Sequence, residues 1–169
     1  MKTSSKSKRT RVIGVDPGYG RLGVAVIESG PTGEKLIFSR CLTTAAELAF
    51  PERLAVLGRE FLNWCRRYRP NYFALENLFF GANRKTAIKV AGVCGLLLYL
   101  AQSCRLQIIE LNPLEVKTSI CGYGQAKKNQ VAAMVKRLLS LNSKAVRQDD
   151  EFDAMAIALT ALALIHRKF

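Results

Sequence analysis

Four acidic positions stand out in a chain otherwise dominated by bases. Asp16 closes the apolar run Val12-Ile13-Gly14-Val15, and Glu76 closes Tyr72-Phe73-Ala74-Leu75. Asp150 and Asp153 sit in Asp149-Asp150-Glu151-Phe152-Asp153. Their i, i+3 spacing puts them on one helix face, with Cβ atoms about 5–6 Å apart. Two of these sites have plainer explanations as well. An Asp before Pro17-Gly18 suits a turn, and acids in a first helical turn offset the helix dipole. Glu76 is harder to explain that way, because Glu is a poor strand residue and turns draw on other types. Four carboxylates with no histidine or cysteine beside them suit hard, oxygen-liganded ions, Mg2+ or Mn2+ rather than zinc. Two such ions roughly 3.5–4 Å apart clamp the attacking and leaving oxygens in phosphodiester hydrolysis.

The rest of the composition says what those acids would act on. The chain has 169 residues, 26 Lys+Arg against 13 Asp+Glu, and a formal net charge of +13. Such an excess points to a polyanionic partner, nucleic acid or an anionic membrane surface. Apolar residues make up 49% of the chain, which excludes global disorder. The longest apolar run, Val90 to Ala101, is shorter than the roughly 18–20 residues a membrane span needs. The opening MKTSSKSKRTR has no hydrophobic stretch behind its charges, unlike a secretory signal. A soluble intracellular protein is expected. The cysteines are scattered and never paired as CxxC, so neither a zinc site nor a disulfide framework is expected. The single histidine, His166, lies among the last four residues. Residues 1–10 read as a disordered basic arm, either solubilising or touching DNA. Residues 11–169 are expected to form one domain.

The elements that must position the acids follow from periodicity. Three strand-like stretches, Val12–Val15, Leu22–Glu28 and Leu36–Leu42, are joined by short Gly-rich turns that imply antiparallel hairpins. Pro51–Tyr68 has helical spacing and is stopped by Arg69-Pro70. Tyr72–Leu75 is a buried strand, Asn83–Cys104 a long helix and Leu106–Leu111 a strand. Asn112-Pro113 starts a short helix with Pro at its first position, Lys127–Leu141 is amphipathic, and Asp149 to Arg167 is a final helix. The order βββαβαβ followed by helices predicts an α/β fold: a mixed five-stranded sheet, three antiparallel strands plus two parallel, flanked by helices. If the first and fourth strands are parallel neighbours, Asp16 and Glu76 emerge at the same edge, where functional groups of open sheets gather.

Three segments in this order resemble the RuvC family of Holliday-junction resolvases, which have a ribonuclease-H-like fold. They are Ile13-Gly14-Val15-Asp16-Pro17-Gly18, Leu75-Glu76-Asn77-Leu78-Phe79-Phe80, and Asp150-Glu151-Phe152-Asp153-Ala154-Met155-Ala156-Ile157-Ala158. The resemblance runs from about Val12 to the end of the last helix. It implies that Asp16, Glu76, Asp150 and Asp153 bind two Mg2+ (or Mn2+) per site. It implies a structure-selective endonuclease that nicks four-way DNA junctions symmetrically and leaves 5′-phosphate ends, in recombination and repair. It places an aromatic near the crossover at Phe79, with Phe80 beside it. One of the two could wedge between bases and the other anchor the loop. Family lysines match Lys117 and Lys128, and Lys128, next to Lys127, could stabilise charge near the scissile phosphate. Arg84, Lys85 and Lys89 would clamp the DNA backbone. A homodimer, a branch-migration helicase partner and a cytoplasmic, nucleoid-associated location are implied too, with no membrane partner. Gly92 and Gly95, one turn apart on the long helix, would permit a close helix approach or pack on the sheet.

The chain departs from the family in having Leu22, where a Thr is usual before Gly23, and in its basic arm. The loop Tyr19-Gly20-Arg21-Leu22-Gly23 also looks like that of YqgF-type nucleases, so a nuclease acting on RNA is one rival. Asp-Pro-Gly and Glu-Asn-Leu-Phe-Phe argue against it. A non-catalytic DNA-junction binder is another, and four acids that would repel phosphates argue against that. A sugar-kinase-like or actin-like ATPase also ends its first strand in Asp-x-Gly, but it needs two such domains.

Overall fold

Two apolar sets alternate along the central strands, and each faces a different layer of helices. In a computed structural model, which describes residues 9–77, 84–142 and 147–167, the strands are β1 (Thr10–Asp16), β2 (Arg21–Gly30), β3 (Gly33–Thr43), β4 (Tyr72–Glu76) and β5 (Gln107–Leu111). They form one sheet in the order β3-β2-β1-β4-β5. β1–β2 and β2–β3 are antiparallel hairpins, and β1–β4 and β4–β5 are parallel. The crossovers are α1 (Phe50–Tyr68) and α2 (Arg84–Ser103). Three more helices follow: α3 (Pro113–Cys121), α4 (Lys128–Leu138) and α5 (Asp149–Arg167).

Ile13, Val15, Leu22, Val24, Phe73 and Leu75 point to the layer of α1 and α2, where Leu57, Phe61 and Leu97 are fully buried against them. Val12, Ala25, Ile27 and Ala74 point the other way, to α3, α4 and α5. Leu22 belongs to the first of these cores and is fully buried, which fits an apolar residue at that position.

The predicted mixed sheet and its helices are present. The strands run beyond their apolar stretches because ladder hydrogen bonds continue through polar residues such as Arg21 and Thr43. The amphipathic helix predicted to Leu141 ends earlier, at Leu138: Leu139 caps it and Ser140 takes a left-handed φ of 48°. Asn112 caps α3 by accepting from Glu115 N at 2.8 Å, and Pro113 follows at the first position.

α2 is long and apolar enough by length and composition to cross a membrane, yet its Val93, Leu97 and Ala101 side sits in the core. Of residues Thr86–Ser103, only 22% are buried. A Cβ on Gly92 would meet the Phe50 ring at 3.0 Å, and one on Gly95 would meet nothing within 4 Å. Neither glycine therefore packs on the sheet.

Candidate active site

The register of β1 against β4 brings the first two carboxylates side by side. Val15 pairs with Leu75 in the parallel ladder, so Asp16 and Glu76 are the next residues on neighbouring strands. Both lie on the sheet face that carries Val12 and Ala74, the face covered by α5. Two missing side chains let α5 settle there. A Cβ on Gly14 would meet Ala154 O at 2.5 Å and Ala158 Cβ at 2.8 Å. Gly23, paired with Asp16 across β1–β2, lies beneath the backbone of Asp150 and has no room for a Cβ at all. The helix face that seats Ala154 and Ala158 on the glycines also carries Asp150, one turn earlier. Asp153 follows three residues on. All four predicted acids thus reach one end of one sheet face.

Their charges interact. Burial, followed by the like charges of Asp153 and Asp150, pushes the Asp16 carboxyl from its usual 3.8 up to about 7, against the pull of Lys128. Burial and Asp153 also raise Glu76, with Lys117 and Lys128 opposing. Lys128 Nζ donates to Asp153 Oδ2 at 2.8 Å, and this contact holds the Lys128 proton more tightly than usual. Lys128 is otherwise a surface residue, with its ammonium turned onto this carboxylate.

The donor set is hard oxygen only, and it carries more negative charge than its lysines offset, as a divalent cation requires. Among the described residues, no three Asp, Glu, His or Cys groups are drawn together as a closed metal cage. Coulombic repulsion reaches across several ångströms, whereas direct ligation needs about 2 Å. The four acids therefore share a field without closing on a point. Residues and charge fit such an ion, and the carboxylates would have to close on it.

Other predicted residues fall around this edge or outside the described chain. Lys117, on α3, is half-buried and acts on Glu76. Lys127 precedes α4, exposed, with its amide donating to Gln130 Oε1 at 2.8 Å. Lys89 is exposed on α2, its Nζ 5.0 Å from the Tyr19 ring centroid, and Arg53 lies 5.5 Å from the same ring. Tyr19 belongs to the loop just after Asp16, but its ring packs with the α1–α2 core, so Lys89 lies towards the sheet face opposite the acids. Phe79 and Phe80 lie outside the described residues, as do the side chains of Arg84 and Lys85.

Sequence reasoning missed Arg21, whose guanidinium pairs with the Asp150 carboxylate. It also missed Cys41, whose thiol contacts Asp150 Oδ2 at 3.5 Å, and Ser39, which donates to Glu151 at 2.6 Å. All three come from the β2–β3 hairpin and grip the first turn of α5. The period-2 pattern puts Arg21 and Gly23 on one sheet face, the only sequence signal available, and it gives no hint of which helix lies above.

Residues 12–161 match the family profile of RuvC, crossover junction endodeoxyribonuclease. The crossover junction endodeoxyribonuclease RuvC of Thermosipho melanesiensis is 43% identical over 148 residues, 88% of this chain and 94% of the relative. That of a Roseiflexus species is 40% identical over 151 residues, 89% of each chain. The solved Thermus thermophilus RuvC in complex with a Holliday junction substrate has a TM-score of 0.87 at 31% identity, covering 94% of this chain and 96% of its own. The yeast mitochondrial Holliday junction resolvase, at 16% identity and a TM-score of 0.69 over 95% of this chain and 82% of its own, shares the fold.

Proposed function

The chain belongs to the RuvC family of crossover junction endodeoxyribonucleases, and from that premise we propose that it resolves four-way DNA junctions by metal-assisted hydrolysis. The observation that carries the reading is the placement of Asp16 and Glu76, next to the paired Val15 and Leu75, at the strand ends that the 150–154 turn of α5 covers. Four acids share one end of a sheet in a chain of net charge +13. Asp16 and Glu76, which have no ion pair among the described residues, would repel a phosphate backbone unless a cation joined them, so their grouping in a basic protein favours cutting over binding alone.

Asp16, Glu76, Asp150 and Asp153 would hold two Mg2+, with Mn2+ able to substitute, and such a pair polarises the phosphodiester and activates water. Asp16, whose carboxyl is pushed up to about 7 by burial and its acidic neighbours, would have to be deprotonated to serve as a ligand. Lys128 contributes positive charge beside Asp153, where it can stabilise charge developing on the phosphate in the transition state. Attack of water at phosphorus, in line with the departing 3′ oxygen, leaves a 5′ phosphate and a 3′ hydroxyl. Lys89, Lys117 and Lys127, with Arg84 and Lys85, would hold the DNA backbone without reading sequence. Phe79 or Phe80 would stack on bases at the crossover.

Two symmetric nicks call for a two-fold protein. α2 offers a surface for a second copy. Ile88 and Tyr99 are each 70% exposed, and between them Gly95 is open. The three lie at i, i+7 and i+11, a single apolar stripe that lets a partner helix approach closely. On family grounds we extend the proposal to a branch-migration helicase as partner and to a place with the DNA inside the cell.

The testing experiment compares cleavage of a synthetic four-way junction with that of matched duplex and structured RNA. Preferential junction nicking supports the reading. Cleavage of RNA alone would overturn it in favour of an RNA-directed nuclease.

A further inference from the structure

The cations around the four acids are unevenly shared. Among the described residues, Asp153 is paired with Lys128 of α4 and Asp150 with Arg21 of β2, while Asp16 and Glu76 have no ion pair. Arg21 is the first residue of β2, two before Gly23. Successive side chains alternate across a strand, so Arg21 shares the face on which Gly23 meets the Asp150 backbone. Its side chain is 53% exposed and Asp150's is 23% exposed. The guanidinium therefore reaches from the solvent edge onto a mostly buried carboxylate. Both Arg21 and Cys41 contact the same oxygen, Oδ2.

We propose that Arg21 is a positioning residue that holds Asp150 in place in the metal-free site and competes with the divalent cation for it. The inference rests on the metal-site reading above. A guanidinium is charged at every working pH, so the competition cannot be relieved by titration, as it could with a histidine. A divalent ion that takes Asp150 as ligand must displace Arg21 or accept a positive neighbour. Each alternative lowers its affinity. In exchange, the pair keeps the first turn of α5 seated on β2 before any ion arrives, despite the repulsion among the acids. Arg21 thereby sets a concentration threshold below which the site stays intact but unloaded.

The test is Mn2+ binding to the full, DNA-free chain at pH 8, followed by the electron paramagnetic resonance of the free ion. It uses wild type, Arg21→Gln, Arg21→Met, and Arg59→Gln as a control of equal charge change on the surface of α1. The Met variant keeps the aliphatic stem, so either variant can report if the other fails to fold. We expect Arg21→Gln and Arg21→Met to bind Mn2+ about tenfold more tightly than wild type, equivalent to about 1.4 kcal/mol. Arg59→Gln should stay within about twofold of wild type, a distant exposed charge being largely screened. In an Asp150→Asn background the Arg21 substitutions should have no effect. Unchanged affinity in the Arg21 variants, or tightening that persists with Asp150→Asn, would overturn the inference and leave the metal site standing. Absence of Mn2+ binding in every protein would overturn the metal-site reading and the inference together.

Discussion

The backbone of Asp150 occupies the space that a Cβ on Gly23 would need. This contact fixes the candidate site. Gly23 is the ladder partner of Asp16, so the residue that admits the α5 turn is joined by the sheet to the first carboxylate. Two strands and a helix distant in sequence are keyed together at one point.

Replacing Gly23 by Ala should therefore damage stability and site together. The added methyl meets backbone, which cannot rotate away. The expected loss is about 2–3 kcal/mol in urea unfolding, with lower affinity for divalent ions. A Gly23→Ala protein as stable as wild type would show that α5 is seated some other way.

The pH dependence follows from Asp16. Its folded-state value, about 7, lies above the ordinary 3.8, so the folded protein binds this proton more tightly than the unfolded chain does. The stability this proton contributes is fully present below about pH 4 and is lost as pH rises to about 7. Without metal, Asp16→Asn should be more stable than wild type at pH 8, by about 2 kcal/mol, with the difference fading towards pH 4. Thermal unfolding in chelator across that range checks it. Equal stability at pH 8 would show that Asp16 is not under electrostatic stress.

Lys128 separates charge stabilisation from general attraction. Lys128→Met should slow junction cleavage about 100-fold under single-turnover conditions. Its effect on binding should be that of one phosphate contact, lowering the slope of log affinity against log salt by about 1 at most. A loss confined to binding would make it a backbone contact only.

The fold was readable because hydrophobic period and turn chemistry agree in this chain. Short Gly-rich connections dictated hairpins, and helix-length connections dictated parallel crossovers. Asp16 and Glu76 were readable as a pair because each directly follows an apolar strand. Arg21 was not. Its role depends on how α5 lies over β2, and that docking follows from the absence of side chains at Gly14 and Gly23. In sequence, these glycines look like any others in a strand. The end of α4 was missed for a related reason: Leu139 and Leu141 continue the apolar pattern after the backbone has left the helix at Ser140.

The exposed stripe on α2 bears on assembly. Tyr99→Glu places a charge on the apolar stripe of the proposed contact between copies. It should turn a dimer into a monomer in sedimentation velocity without lowering the thermal stability of the protomer. Dimers that persist in Tyr99→Glu would place the contact elsewhere.

Whether the four carboxylates hold divalent ions is measured directly by anomalous diffraction from crystals grown with Mn2+. The expected result is two peaks roughly 3.5–4 Å apart, ligated by Asp16, Glu76, Asp150 and Asp153. A map with no peak among these residues at saturating Mn2+, or with Mn2+ bound elsewhere, would contradict it.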